Sequence, residues 1–206
     1  AYMPTMIKYV YEPARGASAA RNAGTAVSSG GIIAFTDDDC YVAPNYLARV
    51  LEAFKENPHL GWVTGRVELH DTHDAPTTIN LSQTPRRFAS KAFLYTDDVI
   101  GANLSLRREA IDAVGGYDEL LGAGAPLAAA EDIDMVSRVA AHGWRGAYDP
   151  RVVVSHHHGR KSKDVAQLFK NYDVGRGAYT IKYLYRGRLL AFLRGAASIR
   201  FRLGHF

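Results

Sequence analysis

Nine consecutive residues, Gly31-Ile32-Ile33-Ala34-Phe35-Thr36-Asp37-Asp38-Asp39, constrain this chain more than any others. A short apolar run that follows glycine, without polar alternation, has the pattern of a strand covered on both faces in a parallel sheet. Open sheets of this kind bind ligands outside the carboxyl ends of their strands, so three carboxylates directly after the run stand where a ligand would. Adjacent like charges repel, which a bound cation relieves. The competing reading is a solvated turn, or acids placed ahead of a helix opening at Pro44. On extended backbone Asp37 and Asp39 face one way and Asp38 the other.

The elements around this run alternate between strand and helix, as in an α/β fold. Ile7 to Tyr11 reads as a short strand ending in a Glu-Pro-Ala-Arg-Gly turn, and the Ala-rich stretch Ser18 to Val27 reads as a helix. After Pro44, Leu47, Val50, Leu51 and Phe54 form an i, i+3, i+4, i+7 stripe that ends at Asn57-Pro58. Trp62 to Leu69 is a further strand, and 70–96 is irregular and long enough to suggest a functional loop. A short helix is expected over Arg107 to Val114, stopped by Gly115-Gly116, and a longer one from Glu131 with Ile133, Val136 and Ala140 on one face and Gly143 past its end. Tyr148 to Ser155 is the last strand and delivers His156-His157-His158.

Period two places His156 and His158 on one face, and imidazole together with carboxylate oxygen suits Mn²⁺ or another divalent ion. A surface turn of three histidines is the plain alternative. Glu131 and Asp132 open a helix, where the dipole favours anions whatever their role. Asn103, Arg107 and Arg108 can equally be caps and surface charges. The single cysteine, Cys40, excludes an internal disulfide and any paired-cysteine zinc site, and its plainest role is a small packed thiol.

Charge is unevenly distributed. Residues 1–160 carry 15 Lys/Arg against 19 Asp/Glu, whereas 161–206 carry 10 against 2, so a net charge of +4 hides a core at −4 and a tail at +8. Aromatic residues interleave the basic ones in that tail, which suits an interfacial helix on anionic lipid or, equally, a helical cap on the domain. Nucleic acid is not an expected partner, because the acidic core would face the same polymer. No apolar run approaches the ~18 residues that a membrane span needs. The first residue is Ala, not Met, so the chain is expected to begin inside a longer gene product.

Six segments in order, Gly16-Ala17-Ser18-Ala19-Ala20-Arg21-Asn22-Ala23-Gly24, the run from Gly31 to Asp39, Gly101-Ala102-Asn103, Gly115-Gly116-Tyr117-Asp118-Glu119, Glu131-Asp132 and Pro150 to His156, resemble family 2 glycosyltransferases of the GT-A fold. The resemblance covers residues 7–160. It implies an α/β, Rossmann-like, mostly parallel sheet flanked by helices over 1–160; beyond it, the charge and aromatic pattern of 161–206 reads as a basic amphipathic helical tail. The activity implied is inverting transfer from a nucleotide-diphosphate sugar, with a UDP-sugar as the expected donor, to a carbohydrate or lipid-linked acceptor. Mn²⁺ or Mg²⁺ is the implied metal. Asp37 and Asp39 match the ends of the family's Asp-X-Asp motif, with Asp39, Asp37, His156 and His158 as metal ligands. Arg21, Asp37, Asp38, Gly101, Ala102, Asn103 and Glu131 fall to donor binding, and Asp132 matches the general base. The implied location is cytoplasmic, or peripheral at the inner face of the membrane. Family members usually open with a strand-helix-strand unit that reads the nucleotide base, and this chain begins after it. Two other classes fit parts of the pattern: a non-catalytic GT-A-like binding or scaffolding module at a membrane surface, and a metal-dependent nucleotidyltransferase.

Overall fold

The computed structural model describes residues 7–92 and 94–185. In chain order it contains α1 (Ala17–Val27), β1 (Ile32–Phe35), β2 (Cys40–Val42), α2 (Tyr46–Glu56), β3 (Leu60–Leu69), β4 (Arg86–Phe88), β5 (Leu104–Arg107), α3 (Arg108–Asp112), α4 (Glu131–Ala141), β6 (Arg145–His156) and α5 (Val165–Tyr185). One sheet holds all six strands in the order β1-β5-β3-β6-β2, with β4 also paired to β6. Its centre is the long pairing of β3 with β6, and this pairing alone is parallel. The other pairings are antiparallel, which corrects the expectation of a mostly parallel sheet. The physical reason is β5. It lies between β1 and β3 and runs against both, so β1 and β3, which point the same way, are not hydrogen-bonded to each other.

Two further expectations change. Ile7 to Tyr11 forms no ladder, and its Ile7, Tyr9 and Tyr11 side chains are exposed. Strand β1 is not covered on both faces: Ala34 is exposed, Ile32 and Ile33 are half-buried and only Phe35 is buried. Helix α2 forms where expected but is rotated, burying Tyr46, Val50, Ala53 and Phe54 and leaving Leu47 and Leu51 exposed.

Apolar side chains collect in two clusters. One joins Tyr46, Val50 and Phe54 of α2 to Val63, Val152 and Val154 of the sheet. The other packs α3, α4 and α5 on Trp62, Leu104 and Leu106. Gly146 lies opposite Trp62 in register, and any side chain there would collide with the indole.

A bulge in the central pairing explains one buried polar residue. Gly65 pairs with Asp149 and Arg66 with Val153, so three residues of β6 loop out. The carbonyls of Arg66 and Val152 both take hydrogen bonds from Asn103 Nδ2, at 3.0 Å each, while Tyr46 Oη donates to Asn103 Oδ1 at 3.3 Å. Asn103 is completely buried. Replacing it by alanine orphans both carbonyls and is expected to cost ~2–4 kcal/mol of stability. Urea unfolding checks this, and a change under ~0.5 kcal/mol, the range of an ordinary surface substitution, would contradict it.

Helix α5 belongs to the core. Tyr179 and Tyr183 are buried in the larger cluster, and Tyr179 Oη hydrogen-bonds Ser137 Oγ at 2.8 Å and the Leu94 carbonyl at 3.2 Å. Lys182 Nζ reaches Asp118 at 2.6 Å and the fully buried Asp134 at 2.8 Å, and Asp134 also holds Arg138 at 2.7 Å. Gly175 permits the approach, since a Cβ there would meet the Ala129 backbone at 2.6 Å. No helix among the described residues is long and apolar enough to cross a membrane. The expected lipid contact falls partly on residues 186–206, which lie outside the described residues.

Candidate active site

The carboxyl end of β1, the start of α4, the end of β6 and the first half of α5 surround one cleft of about 1230 Å³. Arg21, on α1, ties two of these walls together. Its guanidinium bonds Asp37 Oδ1 at 2.9 Å and Glu131 Oε1 at 2.8 Å. Burial works against its charge, but Tyr117, Glu131 and Asp37 outweigh burial and hold it above its ordinary range. Gly122 makes room for Glu131: its φ is +109°, and a Cβ there would sit 3.1 Å from the Glu131 carboxyl carbon.

Asp39 is set by backbone. Strand β2 pairs with β6 so that Cys40 lies opposite His156, and the His157 N–H donates to the Asp39 carbonyl at 2.8 Å. His156 is buried, with Nε2 3.2 Å from Asp39 Oδ1. Asp37, Asp39, Cys40 and His156 form a group whose potential ligand atoms all lie within 4.8 Å of one another. Two carboxylates and an imidazole fit a divalent cation such as Mn²⁺. Cys40 is the poorer match, since its soft sulfur suits such a cation less than carboxylate oxygen does, and burial and the neighbouring acids push its thiol up to about 11. It stays protonated at neutral pH and lies 3.6 Å from Asp39 Oδ1 as a donor.

The other expected residues divide. Asp38 is exposed and lines the cleft, as do Gly101 and Ala102. Asn103 does not line it, since its amide is used inside the sheet. His158 is not brought into the acidic group. Strand β6 ends at His156, so the alternation that aimed both rings alike stops there. The His158 ring instead faces Asp74 at 3.8 Å and accepts the Arg160 N–H at 3.0 Å.

Asp132 sits in the first turn of α4, with its carboxylate accepting the Ile133 N–H at 2.7 Å and the Gly101 N–H. Burial and the adjacent Glu131 charge push it up to about 7, against the pull of those N–H groups and Arg21. A carboxylate poised near neutrality, aimed into a cleft, has the properties of a general base. The loop just before it is strained: Ala128 and Ala130 both line the cleft with φ of +59° and +73°.

Sequence reasoning missed the wall from α5. Gln167, Leu168, Phe169, Asn171, Tyr172 and Arg176 all line the cleft. The only advance signal was the interleaving of aromatic and basic residues, which also suits a lipid surface.

The profile of glycosyl transferase family 2 matches residues 1–115 of this chain. The chain belongs to that family. Among curated proteins, the pre-mycofactocin glycosyltransferases of two Mycobacterium tuberculosis strains, CDC 1551 / Oshkosh and ATCC 25618 / H37Rv, are 28% identical over 167 residues. The match covers 77% of this chain and 34% of theirs, so the chain spans about a third of the length of these family 2 relatives. Among solved structures, the mannosyltransferase PcManGT from Pyrobaculum calidifontis, in complex with GDP-Man and Mn²⁺, aligns with a TM-score of 0.57 at 18% identity. That alignment covers 94% of this chain and 56% of PcManGT, and places the family 2 chain in the GT-A fold.

Proposed function

We propose that this domain transfers a glycosyl group from a nucleotide-diphosphate sugar to an acceptor hydroxyl, with inversion at the anomeric carbon. One observation carries the reading: the Asp37, Asp39 and His156 group and the Asp132 carboxylate line the same cleft. Asp37, Asp39 and His156 would hold a divalent cation, which when bound neutralises charge developing on the departing diphosphate. Arg21 keeps Asp37 and Glu131 in place. Asp132 takes the proton of the acceptor hydroxyl as its oxygen bonds the anomeric carbon and the bond to the diphosphate oxygen breaks on the opposite face. The fold relative's GDP-Man and Mn²⁺ support a nucleotide sugar and Mn²⁺ as ligands here, with GDP and UDP as the nucleotides to compare.

Calorimetric titration of UDP and GDP into the protein, with and without Mn²⁺, tests this. At least one nucleotide is expected to bind about tenfold more tightly, or better, with Mn²⁺ present. Absence of nucleotide binding under either condition would overturn the donor assignment.

A further inference from the structure

We propose that Cys40 is a fourth ligand of the Asp37, Asp39 and His156 group and sets its cation preference, favouring a softer divalent ion such as Zn²⁺ or Co²⁺ over Mn²⁺. This deepens the transferase reading above and rests on it, since that reading makes the group a cation site. Two carboxylates and an imidazole leave the choice of divalent metal open. A thiol among them does not.

Two backbone features put the sulfur there. The Cys40 N–H donates to the Asp37 carbonyl at 3.2 Å, so the acidic run folds back as a turn and brings its first and fourth residues together. Strand β2 starts at Cys40, which lies opposite His156 in antiparallel register, and side chains opposite one another share a face of the sheet. Accordingly, Cys40 Sγ and His156 Nε2 lie 3.6 Å and 3.2 Å from the same oxygen, Asp39 Oδ1. All four ligand atoms fall within 4.8 Å of one another. Donors bound to one zinc ion at ~2.0–2.3 Å lie no more than about 4.6 Å apart, so the group is close to a closed ligand set. Cys40 packs against the smaller apolar cluster and does not line the cleft, so its sulfur meets the group from the sheet side.

Bond strength separates the cations. For sulfur to bind, the thiol proton leaves for water as the metal–sulfur bond forms. Zn²⁺ and Co²⁺ bond thiolate strongly enough to drive that exchange, whereas Mn²⁺ stands lowest in the divalent series and prefers carboxylate and water oxygen. Mn²⁺ is then held by Asp37, Asp39 and His156, and Zn²⁺ by all four residues. The chain has one cysteine, so any thiolate-to-metal signal comes from Cys40. The second group of potential ligands among the described residues, Asp71, Asp74 and His157, contains no sulfur and already holds Lys161 Nζ 2.7 Å from Asp74.

Co²⁺ is titrated into the reduced protein, and the near-ultraviolet thiolate-to-cobalt charge-transfer absorption is followed. Wild type is expected to show the band, and Cys40→Ser and Cys40→Ala to lack it. Mn²⁺ binding, read from its electron paramagnetic resonance signal, is then challenged with Zn²⁺. Zn²⁺ is expected to bind wild type ~10²-fold more tightly than Mn²⁺, and Cys40→Ser to reduce that advantage by about tenfold or more. Absence of the band in wild type overturns the proposal, as does an unchanged ratio of Zn²⁺ to Mn²⁺ affinity in Cys40→Ser. Asp39→Ala is expected to weaken the band, and a band at full strength there would put the sulfur's metal outside this group and overturn the proposal too. Melting temperatures identify any variant that fails to fold, with Cys40→Ser and Cys40→Ala each able to stand for the other. Failure of nucleotide binding with Mn²⁺ in wild type, alongside an intact cobalt band, would sink the transferase reading separately.

Discussion

Asp132→Asn is expected to lower turnover by ~10²-fold or more while nucleotide binding stays near wild type. The asparagine occupies the same space and its carbonyl oxygen can still accept the Ile133 N–H, so the start of α4 is preserved. What it cannot do is accept a proton. The rival account is that Asp132 merely serves the helix N-terminus, and stability separates the two. The folded acid titrates near 7, well above its ordinary 3.8. Between those values the native state binds more protons than the unfolded one, so rising pH lowers stability across that window. Asp132→Asn removes this burden and is expected to melt at or above the wild-type temperature at pH 8. A structural Asp132 gives the reverse: a lower melting temperature and nearly normal turnover. In wild type the rate should rise with pH through about 7, following ionisation of this carboxyl, and that inflection should vanish in the variant.

Asp39→Ala is expected to weaken Mn²⁺-dependent nucleotide binding by on the order of 10²-fold or more, since it removes one of the two carboxylates in the proposed cation group. The side chain is partly exposed, and its placement comes from the backbone pairing of β2 with β6, which alanine retains. Melting temperature should therefore move little. Calorimetry with and without Mn²⁺ reads the effect, and an unchanged Mn²⁺ dependence in Asp39→Ala would remove Asp39 from the assignment.

Local pattern made the elements that frame the cleft legible. The glycines at 30 and 31, the apolar run and the three acids mark β1 and its carboxyl end, and α4 starts at Glu131 as its periodicity predicts. Features set by distant partners were not legible. The antiparallel insertion of β5 depends on which strand edge it finds, and Leu104–Arg107 carries no mark of direction. The rotation of α2 is fixed by the valines of β6, which choose Tyr46 and Ala53 over Leu47 and Leu51. Asn103 has the sequence context of a ligand contact, but the bulge that claims its amide lies in β3 and β6. His158 follows the strand rule only while the strand lasts. The wall from α5 was hidden because aromatic and basic residues look alike whether they face a lipid surface or a cleft.

The pairing of Cys40 with His156, and of the His157 N–H with the Asp39 carbonyl, bears on conformational entropy. A side chain carried on a free loop loses backbone freedom of about 1–2 kcal/mol per residue when a ligand fixes it. Asp39 and His156 lose that freedom when the sheet forms, before any ligand arrives. Binding at this pair then restricts only side-chain torsions, so its strength follows the integrity of the β2 and β6 ladder more than the composition of the loops around it. Softening that ladder loosens the pair, even with both side chains intact.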